Sequence, residues 1–247
     1  MKPILFNTEM VKAILEGRKT VTRRVMKPQP DGRPVPMTKD SCYPGYFAIQ
    51  GTEKVVRPPF QPGDILWVRE TFRVDYLSNI PGSGRVQYKD DAYMDISFDA
   101  KRYNMMRRAQ RKPGWRPNEN MPREAARIFL RVTCVRVERL QDMVLGDVLM
   151  EGITEAGTYE KTLGRWHQTW NSTIKPADLP TYGWETNPWV WVIEFERISK
   201  EGEAGRKKVE KYTRYSSVAL SILMAVGYYL LLKNQYGVVT TFGNGIL

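Results

Sequence analysis

The densest chemistry in the chain lies in Leu15-Glu16-Gly17-Arg18-Lys19-Thr20-Val21-Thr22-Arg23-Arg24, which sets one lysine, two threonines and three arginines within ten positions. A threonine hydroxyl attacks a carbonyl only when a neighbour takes its proton, and a lysine takes a proton only when it is neutral. Flanking arginines push a lysine toward the neutral form by like-charge repulsion, and burial adds to the push. Arg18, Arg23 and Arg24 can instead hold a phosphate. The plain alternative is a solvated turn running into a strand, with Lys19 paired to an exposed acid and Thr22 an ordinary strand residue.

A second basic stretch runs from Ala100 to Asn118, with seven Lys/Arg and no acid. Arg107, Arg108 and Arg116 can contact phosphates there, with Tyr103 or Trp115 stacking on a base. A solvated basic loop is the competing reading. Glu70 is either an acid facing a cleft or the partner of Arg69 or Arg73, and pairing is the simpler. The single histidine, His167, sits between Trp166 and Trp170 and reads as structural or surface. Cys42 and Cys134 stand far apart, so a His/Cys zinc site is not expected, nor is any cofactor. Cys134 lies in an apolar run and is expected to be buried.

The elements that would position these residues follow from local patterns. Asn7 or Thr8 can cap a helix over Glu9–Glu16, with Met10, Val11, Ile14 and Leu15 on its apolar side. Gly17 is a natural helix stop, and Lys19 to Val25 then reads as a strand. Eight of the sixteen prolines fall within residues 28–62, which predicts a long loop with at most a small hairpin near Tyr46–Val56. Residues 65–73 read as a buried strand, and residues 75–100 are ambiguous. Arg127–Glu138 is the clearest long strand, and its apolar alternation slips after Cys134, which predicts a bulge. A helix from Gln141 to about Met150, stopped by Gly152, a second short helix over Gly164–Thr173 and a last strand over Trp189–Glu196 complete the pattern. Trp67, Trp189 and Trp191 read as core. Short strands, few helices and long loops predict an α+β fold with a small β-barrel.

The chain has 247 residues and a formal charge of +11, which favours polyanionic partners. Residues 1–198 contribute +7, so the body is basic in its own right. No apolar N-terminal signal segment is visible, and two unpaired cysteines fit a reduced compartment; a cytoplasmic location is expected.

Taken together, Ile14–Arg24, Pro62-Gly63-Asp64-Ile65-Leu66-Trp67-Val68-Arg69-Glu70-Thr71, Trp115-Arg116-Pro117 with Met121-Pro122-Arg123, Val137–Asp142 and Asn187–Phe195 resemble the ASCH domains of bacteriophages and prophages. The resemblance covers about residues 1–198, with insertions near 28–58 and 74–120. It implies a PUA-like β-barrel with a few flanking helices, and RNA or a modified nucleoside as ligand. Some small bacterial members are amidohydrolases that deacetylate N4-acetylcytidine without metal. By resemblance, their lysine, threonine and glutamate correspond to Lys19, Thr22 and Glu151. In that reading Lys19 takes the Thr22 proton, and Glu151 orients Lys19 or hands the proton to the leaving amine. Arg18, Arg23, Arg24, Glu70, Arg107, Arg108, Trp115 and Arg116 are then the ligand-binding candidates. A non-catalytic phage accessory role stays open beside binding and hydrolysis.

The composition changes after Ile198. Lys200–Tyr215 resembles a cytoplasmic loop of SecY, and residues 215–232 carry no charge, which predicts a single apolar helix and membrane contact. The expected organisation is therefore an ASCH-like domain over 1–198 and a SecY-like segment over 199–247.

Overall fold

The N-terminal elements form as their residues dictate. Lys2–Leu5 is strand β1 and Thr8–Leu15 is helix α1. Asn7 caps the helix, its Oδ1 accepting the Met10 N–H at 2.8 Å and so satisfying a donor that the first turn leaves orphaned. Val11, Ala13 and Ile14 are the buried face. Gly17 follows at φ +76°, the left-handed conformation that a Cβ would strain. The reversal lets the backbone N–H groups of both Arg18 and Lys19 donate to the Ala13 carbonyl, at 2.9 and 3.0 Å. The chain then enters β2, Val21–Val25.

In this computed structural model residues 1–38, 41–78, 82–111 and 114–198 are described. The proline-rich segment holds β3 (Pro34–Pro36), β4 (Phe47–Ile49) and β5 (Val55–Val56), which pair as a small antiparallel sheet. The expected hairpin is β4–β5, with one further strand added. The strand expected over 65–73 is two: β6 (Ile65–Arg69) and β7 (Phe72–Leu77). The ladder breaks at Glu70, whose N–H donates to Met121 Sδ at 3.1 Å instead of to a strand. The ambiguous stretch resolves into β8 (Ser83–Tyr88) and β9 (Tyr93–Ser97), which join β7 in a second three-stranded sheet.

The basic stretch is helix α2, Ala100–Gln110, and not a loop. Alanine, methionine, arginine and glutamine are strong helix formers, and the Asp99 carboxylate accepts the Arg102 N–H at 2.7 Å at its start. The remaining elements are β10 (Phe129–Arg139), α3 (Leu145–Met150), α4 (Tyr159–Thr173), α5 (Leu179–Tyr182) and β11 (Trp189–Ile198). Helix α4 starts five residues before the expected Gly164, because Thr158 caps it by accepting the Lys161 N–H.

The main sheet has the order β1-β6-β10-β11-β2. Only the β1–β6 pair is parallel. The expected bulge is present: the β10–β11 register shifts between Val132 and Cys134. Leu130 and Val132 before it, and Val135 and Val137 after it, all pack into one core with Phe6, Leu66, Val68 and Trp191. Cys134 is half-buried, not buried as expected, because the bulge leaves it beside the turning point.

The expected closed barrel is not formed among the described residues; the sheets are open. β1 and β2 are the two edges of the main sheet. They are joined by a side chain in place of a ladder, the Arg24 Nη2 donating to the Leu5 carbonyl at 2.6 Å. This open seam is where two of the cavities of the next section lie.

Helices and sheets thus coexist, as an α+β chain requires. Among the described residues no helix is long and apolar enough to cross a membrane. The apolar helix expected at 215–232 lies outside the described residues.

Candidate functional site

Lys19, Glu151 and Arg23 form a buried charged cluster at the seam. Each is at most 3% exposed. Gly17 turns the chain so that Lys19 forms an isolated antiparallel bridge with Glu151, the residue that ends α3. Gly152, at φ +87°, reverses the chain after it. A Cβ there would lie 2.7 Å from the Ala13 Cβ and 3.0 Å from the Lys19 Cβ, so α1, Lys19 and the end of α3 meet at a point only glycine fits.

The Lys19 ammonium donates to Glu151 Oε2 at 2.5 Å, to the Val21 carbonyl at 2.8 Å and to the Glu151 carbonyl at 2.9 Å. It also stands 5.5 Å from the Phe6 ring centre. Burial lowers the Lys19 pKa, Glu151 opposes that shift, and Arg24 and Arg23 add smaller downward pushes. Burial, and not repulsion from the arginines, is the larger cause.

Arg23 lies between carboxylates. Its guanidinium is 3.4 Å from Glu151, 3.3 Å from Glu138 and 3.5 Å from Asp147. Arg136 extends the network to Glu138 and Glu194. A buried ion pair is held at a desolvation cost, so the cluster is poor evidence of stability and better evidence of a requirement for charge at this place.

Two cavities line the seam, and another lies beside it between α1 and α4. The middle one, about 190 Å³, is walled by Thr22, Arg23, Arg24, Glu151, Phe6 and Trp166 among others. Lys19 is not in that wall; it stands behind Glu151. Two buried donors of wall residues, Arg23 Nε and Trp166 Nε1, have no partner among the described residues. Each such donor costs about 1–3 kcal/mol unless something accepts from it. A larger cavity of about 350 Å³ is walled by Arg18, Arg165, Thr154 and Gly152, and a third of about 500 Å³ by Arg24, Lys27, Arg57 and Phe60. Arg18 donates to Glu16 and, at 2.7 Å, to the Gly152 carbonyl.

The structure therefore brings Lys19, Thr22, Glu151, Arg18, Arg23 and Arg24 to one seam. It does not bring the other candidates there. Glu70 pairs with Arg127 through two bonds of 2.8 and 2.7 Å, not with Arg69 or Arg73. Asp90 holds the same guanidinium at 2.8 Å. Burial pushes the Glu70 carboxyl up against the pull of Arg127. Arg107 and Arg108 are exposed in the last turn of α2, where cations favour the helix dipole. Trp115 is exposed, with Lys89 Nζ 4.2 Å and the Arg73 guanidinium 5.1 Å from its ring centre. Arg116 forms a backbone bridge with Phe72. Tyr103 is core and donates to the Ser78 carbonyl, so it is not free to stack on a base. His167 stacks on Trp184, as a structural residue would.

Sequence reasoning missed Asp147, Glu138, Arg165 and Trp166 as neighbours of the site. Asp147 was within reach, since it stands four residues before Glu151 and shares its face of α3. The others depend on pairings that no local pattern encodes.

No family model matches this chain, and no solved structure matches it. Among curated proteins, a 34-residue stretch is similar to the protein translocase subunit SecY of Pseudomonas aeruginosa, at 47% identity over 14% of this chain and 8% of that protein. Stretches of the same length are 62% identical to the chloroplastic preprotein translocase subunit SECY of Oryza sativa subsp. japonica and of Zea mays, covering 6% of each. The chain thus spans less than a tenth of the curated relatives it matches.

Proposed function

We propose that residues 1–198 form an ASCH-type unit that binds RNA or a modified nucleoside, with the base in the middle cavity of the seam. One observation carries this reading: Arg23 and Trp166, each with a buried side-chain N–H that has no partner among the described residues, wall the same cavity as Thr22 and Glu151. A pyrimidine edge offers acceptors to the first two and an exocyclic amine to the carboxylate, and hydrogen bonds made in a dry wall discriminate strongly against ligands that lack them. The test is titration calorimetry of the full chain with cytidine, N4-acetylcytidine and uridine. Saturable binding that weakens at least about tenfold, roughly 1.4 kcal/mol, in Trp166→Phe supports the reading. Absence of binding by all three sinks it.

A second reading, hydrolysis of an N4-acetylcytidine-type amide, is favoured by one further observation: the carboxylate sharing a wall with Thr22 is 2.5 Å from a buried lysine. Thr22 Oγ would add to the acetyl carbonyl as its proton passes to the Glu151–Lys19 pair. The C–N bond then breaks, the cytidine amine leaves with that proton, and water cleaves the threonyl ester to give acetate. In this reading the roles expected for the pair are exchanged, with Glu151, in the cavity wall, as the proton carrier and Lys19 behind it as its hydrogen-bond partner. Acetate release followed by NMR, abolished in Thr22→Val, supports this reading. Binding without turnover leaves the chain a binder, and neither one returns it to an accessory role.

A further inference from the structure

We propose that the two cavities of the β1–β2 seam and the one beside them between α1 and α4 form one cleft for a single-stranded polynucleotide. The target base sits in the middle, one neighbouring phosphate meets Arg165 with Arg18, and the other meets Arg57 with Lys27. The inference rests on the nucleobase reading above and specifies its ligand.

Size is the first argument. The middle cavity, about 190 Å³, is smaller than the ~300 Å³ at which sites for whole small molecules begin, so it takes a base and leaves the sugar outside. Continuity is the second. Asn7, Met10, Thr169 and Glu151 wall both the middle cavity and the 350 Å³ cavity. Leu5 and Arg24 wall both the middle cavity and the 500 Å³ cavity. The base slot thus shares a wall with a larger space on each side, and on the second side that wall is the Arg24–Leu5 contact.

Charge is the third argument. Arg165 has no carboxylate partner among the described residues and donates only to the Thr154 carbonyl and hydroxyl, at 3.3 and 3.2 Å. Arg18 beside it is already shared with Glu16, and the acids in the same wall are Glu9 and Glu151, the latter held by Lys19 and Arg23, so Arg165 is the stronger anion contact at this end. At the other end the wall holds Arg24, Lys27 and Arg57 and no acid. Lys27 is held by Asp178 at 2.9 Å, whereas Arg57 is exposed and has no carboxylate partner among the described residues. Phe60, in the same wall, offers a ring on which a flanking base can stack. Cation, base slot, cation is the order in which a strand presents phosphate, base, phosphate. A free nucleoside has nothing to place at either end.

The test is fluorescence anisotropy of the full chain with a nine-residue oligocytidylate, alongside calorimetry with cytidine, as salt is raised. Affinity for the RNA 9-mer should exceed that for cytidine at least tenfold. The slope of log K against log salt should fall by about 0.7 in Arg165→Gln and again by about 0.7 in Arg57→Gln, one phosphate each. Arg85→Gln removes a charge on the second sheet, where Arg85 pairs with Asp95, and should leave the slope at the wild-type value. An oligodeoxycytidylate arm identifies the source of the strand: weaker DNA binding assigns RNA, and equal binding assigns a polynucleotide read without its 2′-hydroxyl. Either result supports the cleft. Equal affinity for cytidine and the 9-mer overturns it and leaves the nucleobase reading standing. A slope unchanged in both variants also overturns it, since the strand then binds elsewhere. Failure of cytidine and 9-mer alike removes both readings.

Discussion

Two buried charged clusters in this chain resemble each other in composition and differ in surroundings. In the second sheet, Glu70 holds Arg127 by a two-bond fork, Asp90 holds it again, and the guanidinium lies 4.0 Å from the centre of the Tyr88 ring. At the seam, Glu151 holds Lys19 and Arg23. Both glutamates are almost fully buried, at 3% and 2%. Glu70 lies in the wall of none of the three cavities, whereas Glu151 lies in two of them. The Glu70 cluster has its donors matched, because one cation meets two carboxylates. At the seam Arg23 Nε and Trp166 Nε1 have no partner among the described residues. A buried ion pair therefore says little about function until one asks what it leaves unpaired and what space adjoins it.

The contrast can be broken by substitution, beginning with the ion pairs. Glu151→Ala strips Lys19 of its carboxylate partner and should cost about 3–5 kcal/mol of stability, the usual loss for breaking a buried pair. Glu70→Ala leaves Arg127 with Asp90 and should cost about 1–3 kcal/mol. Urea denaturation measures both, and equal losses would erase the distinction. Next come the glycines. Gly152→Ala adds a Cβ against Ala13 at a positive φ, and should cost about 1–3 kcal/mol while displacing Lys19. At Gly84 in the second sheet the closest atom to an added Cβ, at 2.6 Å, is the flexible end of Leu77, although the Tyr76 carbonyl stands at 2.9 Å. Gly84→Ala should cost less than Gly152→Ala and leave ligand binding intact.

Hydroxyl deletions sharpen the comparison further. Thr22→Val keeps the shape of the wall, so stability should move by less than about 1 kcal/mol, while ligand affinity drops. Tyr88→Phe should do the reverse, losing about 1 kcal/mol with its 2.6 Å bond to the Ala125 carbonyl and leaving binding unchanged. The smallest effect is in pH. The folded-state pKa of Lys19 lies below its usual 10.5, so its contribution to stability is full above 10.5 and is lost as pH falls through the depressed value. The stability gap between wild type and Lys19→Met should therefore shift with pH in that sense. Turnover, if the hydrolase reading holds, should rise over the same interval. A gap flat with pH would show that Lys19 keeps its ordinary affinity for protons.

What was legible in the sequence was whatever is local. Asn7, Gly17 and the Thr-Val-Thr run set α1, its stop and β2, and the slip in alternation after Cys134 set the bulge. What was not legible depended on distant partners. Nothing near Glu70 announces Met121, which breaks the strand there, or Arg127, which takes its charge. The basic run at 100–111 reads as a loop or as a helix by charge alone; its helix formers and the Asp99 cap decide. The open seam was hidden for the same reason, because whether two edge strands pair is settled by what stands between them, here the Arg24 guanidinium.

The bulge in β10 acts as a parity switch. Side chains alternate along a strand, and the extra residue at Thr133 exchanges odd for even. If the same residues paired without a bulge, Arg136 and Glu138 would fall on the side of Leu130 and Val132. With it, they reach Arg23 and Asp147. Deleting Thr133 is conservative by composition and removes a residue that is itself exposed. It also removes the extra residue of the bulge, so the shortened strand alternates regularly: Val135 and Val137 keep the side of Leu130 and Val132, and Arg136 and Glu138 keep the side that reaches Arg23 and Asp147.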